Sequence, residues 1–190
     1  MELIETIGNT PLLDVTPFIQ KFFSEHPLEM QQGSLHTQRN VIAPRFNPNT
    51  SIFSKCEYLN PTGSIKDRIV RYMVERAQAS GHLKDCNTLI ESTSGNTGAA
   101  VAMIAAIKGY QALLVLPDRV SREKQAILKA LGATVKIMPS DATIDSESHY
   151  VNAAQQLAKS EPNSFYLNQY NSLHNAQAHY YTTGPEIWQQ

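Results

Sequence analysis

Three short stretches of the 190-residue chain combine residue types and spacings suited to chemistry. The first is Asn60-Pro61-Thr62-Gly63-Ser64-Ile65-Lys66-Asp67-Arg68, a turn running directly into a helical pattern. Lys66 falls in the first helical turn, where the macrodipole is positive and a cation is disfavoured. A lysine so placed suits Schiff-base formation or proton transfer. The same residues also read as a solvated Lys-Asp-Arg cluster at a helix start, and spacing alone leaves both open. The second stretch is Glu91-Ser92-Thr93-Ser94-Gly95-Asn96-Thr97-Gly98, between a strand pattern and the most apolar helical pattern of the chain. Small hydroxyl residues and two glycines let backbone N–H groups converge at a helix N-terminus, a cradle for a carboxylate or phosphate. A capped strand-to-helix turn with glycines for close packing is the plainer alternative. The third is Leu167-Asn168-Gln169-Tyr170, where Gln169 can donate to a carboxylate oxygen or accept from an amine. By itself it is also ordinary turn chemistry.

The elements around these stretches set where they lie. Strands are expected over Ile52–Tyr58, Thr88–Glu91, Ala112–Leu116, Thr134–Met138 and Phe165–Leu167. Helices are expected over Ser64–Ser80, Asn96–Lys108, Arg122–Leu131 and Ser146–Ser160. Ser121 is the N-cap candidate of the third of these helices and Gly132 its C′ residue. Alternation of this kind argues for an α/β fold, a doubly wound parallel sheet in three layers. The second and third stretches then fall at one edge of the sheet, the carboxyl edge, where ligands bind. Residues 24–50 break the rhythm with Pro27, Gly33, Pro44 and Pro48 among polar residues, and read as a loop or insertion. Thr16-Pro17 opens a short helix, and Thr183-Gly184-Pro185-Glu186 has the spacing of a capping box.

Composition excludes several classes. With 16 basic and 17 acidic residues the net charge is −1, which gives no footprint for nucleic acid or an anionic membrane. The longest apolar run, Ala99–Ile107, falls far short of the ~20 residues of a spanning helix. The acidic start, Met1 to Gly8, lacks a signal-peptide layout. Cys56 and Cys86 form neither a disulfide framework nor a zinc spacing and point to a reducing compartment, the cytoplasm. His26, His36, His82, His149, His174 and His179 show no metal-ligand spacing; the last three are expected to cap or pack. No motif supports a Ser-His-Asp triad or a carboxylate pair.

Together the stretches resemble the pyridoxal-phosphate enzymes of the tryptophan-synthase β-like fold (fold type II), within them cysteine synthase and cystathionine β-synthase. Ile7-Gly8-Asn9-Thr10-Pro11-Leu12 looks like their opening strand motif, Lys55-Cys56-Glu57 through Arg68 like their lysine motif, and Thr93–Gly98 like their substrate loop. His179 through Trp188 resembles the segment before their next helix. The likeness covers roughly residues 2–16 and 51–190. It implies pyridoxal 5'-phosphate as cofactor, with Lys66 as the lysine that carries it and Asn96 bonded to its 3′-oxygen. Thr93, Ser94, Gly95, Asn96, Thr97 and Gln169 would hold the substrate carboxylate. The implied reaction is β-replacement on serine or O-acetylserine by sulfide or a thiol such as homocysteine, in a homodimer.

The resemblance also implies a division of the chain. Residues 1–16 would supply the first strand of a large domain, 17–50 an insertion, 51–142 a smaller α/β domain, and 143–190 the start of an incomplete large domain. The phosphate-cradling loop and the residue facing the pyridine nitrogen would lie beyond Gln190, so these residues alone are expected to be inactive. A truncated, non-catalytic binding module and a serine/threonine dehydratase relative are the other two readings.

Overall fold

The computed structural model describes residues 2–25 and 49–190, grouped in two compact units. The smaller unit lies within residues 11–56. In it β1 (Leu12–Asp14) and β2 (Phe53–Lys55) pair antiparallel, with Leu13 opposite Ser54. Helix α1 (Thr16–Glu25) follows β1 and begins with Thr16 and Pro17 as expected. The Thr16 hydroxyl is not its cap, because Oγ1 accepts the Ile52 N–H at 2.8 Å. Asp14 serves instead, its Oδ1 accepting the Thr16 N–H at 2.9 Å. The insertion expected over residues 17–50 therefore starts as helix, and its residues 26–48 lie outside the described residues.

The strand expected over Ile52–Tyr58 ends at Lys55, and Glu57–Leu59 forms a 3-10 turn. The Ile7–Leu12 motif is likewise a turn before it is a strand, with Gly8 and Asn9 of the larger unit at left-handed φ of 92° and 47° and Leu12 opening β1 of the smaller unit. Gly8 is required there, since a Cβ would stand 3.1 Å from Arg68 Nη1 on a backbone few side chains tolerate.

The larger unit is built on helix α2 (Lys66–Ala79), β3 (Thr88–Ser92), α3 (Asn96–Lys108), β4 (Gln111–Pro117), α4 (Arg122–Ala130) and β5 (Thr134–Met138). Helix α5 (Tyr150–Ser160) and β6 (Ser164–Tyr166) complete its sheet, which runs in the order β5-β4-β3-β6. Every pairing is parallel, with Thr88 opposite both Gln111 and Ser164. Side chains alternate across a strand, so β3 feeds both faces. Leu89 joins the cluster of Ile69, Val70 and Val74 from α2 with Val101 and Ile104 from α3. Ile90 and Val115 meet Ala153 and Ala154 of α5 on the opposite face. This is the three-layer doubly wound arrangement the alternation implied. Helix α3 is buried along most of its length because apolar residues surround it.

Helix α4 is capped as expected, Ser121 Oγ accepting the Lys124 N–H at 3.4 Å, and Gly132 beyond its end has φ 89°. Helix α5 begins at Tyr150 rather than Ser146, because Asn152 Nδ2 donates to the carbonyls of Ile144 and Ser146 and holds those residues in a turn. After β6 come α6 (Leu173–Ala178), a π-helical turn (His179–Thr183) and α7 (Gly184–Gln189). The capping box at Thr183 does not form. Thr183 is itself helical, with φ −60° and ψ −44° and no side-chain cap bond, and Glu186 is engaged by Arg68. Residues 57–190 share one compact unit, in which β6 extends the sheet of β3.

Candidate active site

The sheet order reverses direction at β3: β4 and β5 lie to one side of it and β6 to the other. The connections leaving the carboxyl ends of β3 and β6 meet beside a crevice at this edge, the usual ligand position in parallel sheets. The β3 connection carries Thr93-Ser94-Gly95 into α3, and the β6 connection carries Leu167-Asn168-Gln169-Tyr170. Asn168 makes the second possible by taking φ 54°, a conformation asparagine tolerates. Lys66, Thr93, Ser94, Gly95, Asn96, Thr97 and Gln169 all line one cleft of about 410 Å³, joined by Tyr170 and Asn175. Every candidate residue is thus brought together, from three segments far apart in the chain.

Lys66 is the first residue of α2, and the turn before it is tied from behind. The Asp67 carboxylate accepts the Thr62 N–H at 2.7 Å and also the Thr62 hydroxyl. Burial pushes the Asp67 carboxyl up, against these hydrogen bonds. Asp67 and Arg68 are 0% and 3% exposed, which overturns the solvated-cluster reading of this stretch. Lys66 alone of the three borders the cleft, and among the described residues its ammonium has no hydrogen-bond or ion-pair partner.

Arg68 lies in a buried ion cluster. Its Nε and Nη2 donate to the two Glu57 carboxylate oxygens at 2.7 and 2.8 Å. Nη1 and Nη2 donate to Glu186 at 2.7 Å each, and Nη2 also reaches Thr10 Oγ1 at 3.2 Å. Burial opposes ionisation of Glu57, yet the bonds from Arg68, Thr10 and Asn60 outweigh it and hold its carboxyl below the usual range. His179 packs as expected, its Nδ1 3.0 Å from Thr183 Oγ1. Burial, with the charges of Lys66 and Arg68, lowers its pKa.

On the other wall, Thr93 Oγ1 accepts the Gly95 N–H at 3.1 Å and shapes the loop. Thr97 Oγ1 donates to Gln169 Oε1 at 2.6 Å, linking the two connections. No side chain caps α3, so the first-turn N–H groups of Asn96 and Thr97 are left for water or a ligand. Gln169 Nε2 donates to the Ser92 carbonyl at 3.0 Å. Asn175 Nδ2 donates to the Gln169 carbonyl at 3.0 Å. Beneath Gln169 lies Glu91, fully buried, which accepts the Gln169 and Ser92 N–H groups at 3.2 and 2.9 Å.

Sequence reading missed Glu91, Asn175 and the Arg68 cluster as parts of the site. A charged residue amid Leu-Ile-Glu-Ser of a buried strand was the available signal for Glu91; nothing local marks Asn175. Among the described residues no cluster of His, Cys, Asp and Glu could hold a metal ion, and no helix is long and apolar enough to cross a membrane.

Residues 38–190 match the family model described as pyridoxal-phosphate dependent enzyme. Cystathionine beta-synthase of Saccharomyces cerevisiae is 49% identical over 140 residues, 73% of this chain and 28% of that protein. Cysteine synthase B of Salmonella typhimurium is 36% identical over 190 residues, 99% of this chain and 52% of that one. A hydrogen sulfide-producing enzyme from Fusobacterium nucleatum has a similar structure, with TM-score 0.74 and 31% identity over 99% of this chain and 52% of its own. The chain thus spans between about a quarter and a half of the length of these relatives.

Proposed function

The chain belongs to the pyridoxal-phosphate dependent enzymes, and from that premise we propose that it serves β-replacement on serine or O-acetylserine, giving cysteine or cystathionine. Relatives named for both products support the reading. The observation that carries it is the meeting of Lys66, the Thr93–Thr97 loop and Gln169 in one cleft.

The residues present fit the cofactor. A primary amine with no competing partner among the described residues borders the cleft, and the Asn96 amide and uncapped N–H groups of α3 stand in the same lining. When bound, pyridoxal phosphate supplies an electron sink that drains charge from the substrate α-carbon. Lys66 would hold the cofactor through its Nζ and, once displaced, carry the α-proton off and back. Asn96 would donate to the cofactor 3′-oxygen. Ser94, Gly95 and the first-turn N–H groups of α3, with Gln169, would orient the substrate carboxylate. At Cβ the bond to the hydroxyl or acetoxy group breaks, and a bond to the thiol or sulfide sulfur forms. A homodimer, a cytoplasmic location, and the division into a smaller domain and the opening of a larger one belong to the same proposal.

The test is spectroscopic. Protein mixed with pyridoxal phosphate and desalted retains a visible absorbance band, and Lys66→Ala lacks it. In a full-length protein containing these residues, turnover with O-acetylserine and sulfide, or serine and homocysteine, falls about 10²–10⁴-fold in the variant, the scale of a lost proton-transfer group. A band of full strength in Lys66→Ala sinks the assignment.

A further inference from the structure

Glu91 is the buried ionisable group that the reaction above leaves without a task. It is 0% exposed on β3, two residues before the loop that lines the cleft. All its partners are donors. Oε1 accepts the Ser92 N–H at 2.9 Å, with Ser92 Oγ at 3.4 Å and Gln169 Nε2 at 3.5 Å, and Oε2 accepts the Gln169 N–H at 3.2 Å. This set suits an anion, but no cation is among its partners within the described residues, and burial pushes its carboxyl up to about 7.

Tyrosines face it from the neighbouring elements. Tyr166 of β6 reaches it through Ser92, its hydroxyl 2.9 Å from Ser92 Oγ. Tyr150 of α5 and Tyr170 of the β6 connection lie beyond, their hydroxyls 3.3 Å apart. Burial raises both Tyr166 and Tyr170, and the charge of Glu91 adds to it. The cation bordering the cleft is Lys66, and α3 and β4 present apolar residues to this part of the core.

Gln169 couples Glu91 to the cleft. Its Nε2 points inward to the Ser92 carbonyl and Glu91, while its Oε1 accepts from Thr97. Turned over, Oε1 would confront a carbonyl and a carboxylate. Anionic Glu91 therefore holds the donor end of Gln169 away from any carboxylate in the cleft. A ligand carboxylate and the Glu91 carboxylate would then stand on either side of a single glutamine, and two like charges so placed disfavour each other's ionised form.

We propose that Glu91 is a positioning residue acting through Gln169, and that a carboxylate ligand entering the cleft is accompanied by a proton taken up on Glu91. The proton comes from solvent and forms an O–H bond on the Glu91 carboxyl. Nε2 loses the charged one of its two inward acceptors and is released to donate to the ligand. The proton leaves when the ligand does. This rests on the reading of the cleft as an amino-acid carboxylate site.

L-alanine carries the α-carboxylate without a leaving group at Cβ and is the probe. It is titrated calorimetrically into the protein loaded with pyridoxal phosphate, at pH 6 and pH 8, in buffers of different ionisation enthalpy. Binding is expected about tenfold tighter at pH 6, within the usual span of coupled equilibria. The wild type takes up more protons than Glu91→Gln, whose affinity no longer rises toward acid. Glu91 serving packing alone would alter stability but leave the proton count unchanged. Should Glu91→Gln fail to fold, carbon-13 resonances of labelled glutamate in the wild type carry the test. The Glu91 midpoint near neutrality moves up when alanine is saturating. An unmoved midpoint, or an equal proton count in variant and wild type, overturns the proposal and leaves the site reading standing. Failure of alanine to bind at either pH overturns both.

Discussion

A methyl group at Gly98 would stand 2.8 Å from Thr93 Cγ2, 3.3 Å from Leu128 Cδ2 and 3.4 Å from Leu114 Cδ1. All three side chains are buried, and the contact with Thr93 is the closest, so the strain falls first on Thr93. Thr93 Oγ1 is the acceptor for the Gly95 N–H, and its displacement reshapes the loop that lines the cleft. Gly98→Ala is expected to cost about 1–3 kcal/mol in overpacking, offset in part by the better helix propensity of alanine. A urea titration reads the stability. The L-alanine titration should show affinity weakened several-fold, beyond what the stability change produces; unchanged affinity would mean that Thr93 does not set the loop. At this scale Lys66 and Gln169 could be placed in advance, one opening a helical pattern and the other following a strand pattern, but only the family resemblance gave them roles. Glu91 lay within a readable motif yet carried no readable role, because its meaning depends on a partner 78 residues away.

Arg68 does for the elements what Gly98 does for the loop. One side chain, 1% exposed, binds the 3-10 turn through Glu57 and α7 through Glu186, whose side chains are 14% and 18% exposed. The Asn9 N–H also donates to Glu186 Oε1, at 2.9 Å, so the turn after Leu3–Thr6 is drawn into the same cluster. Removing the guanidinium would leave two poorly solvated carboxylates facing each other. Arg68→Ala is therefore expected to lose about 3–5 kcal/mol, the usual cost of breaking a buried pair. Glu186→Gln should be milder and local. It keeps a polar group beside Arg68 but frees α7, which hydrogen exchange would show as faster exchange of the α7 amides with β3 and β4 unaffected. Equal acceleration across the sheet would mean the cluster holds the whole core rather than its periphery. Helices α3 and α4 and strand β5 were legible because periodicity and caps are local signals. The Thr183 capping box was misread for a related reason: the Glu186 carboxylate had a stronger partner in Arg68, 118 residues away, than the backbone of its own first turn.

For the whole molecule, strand and helix alternation announced a parallel sheet, but not that β6 would cross back to the far side of β3. That crossing creates the crevice, and it is decided by packing among residues distant in the chain, which no window of sequence displays. The same burial that makes the crevice gives the fold a characteristic response to pH. Glu91 has an ordinary value of 4.5 and is pushed up to about 7 in the folded chain. Its contribution to stability is thus complete below about pH 4.5 and is lost as pH rises through 7. Raised Asp67 acts in the same direction, starting from its ordinary 3.8. His179, lowered by burial and by Lys66 and Arg68, acts oppositely: acid below its ordinary 6.5 favours the unfolded chain. Glu57, held low by Arg68, Thr10 and Asn60, withdraws its stabilisation only as pH falls below its ordinary 4.5 toward its folded value. The Glu91 shift is the largest of these, and at 1.36 kcal/mol per pKa unit it is worth roughly 3 kcal/mol. Urea midpoints should therefore decline from pH 5 to pH 8 in the wild type. In Glu91→Gln, which has no proton to lose, the decline should vanish or reverse as His179 becomes the leading group. A wild-type midpoint that stays level, or rises, across that range would mean Glu91 is charged in the fold throughout, and that the donors around it outweigh the burial that opposes its charge.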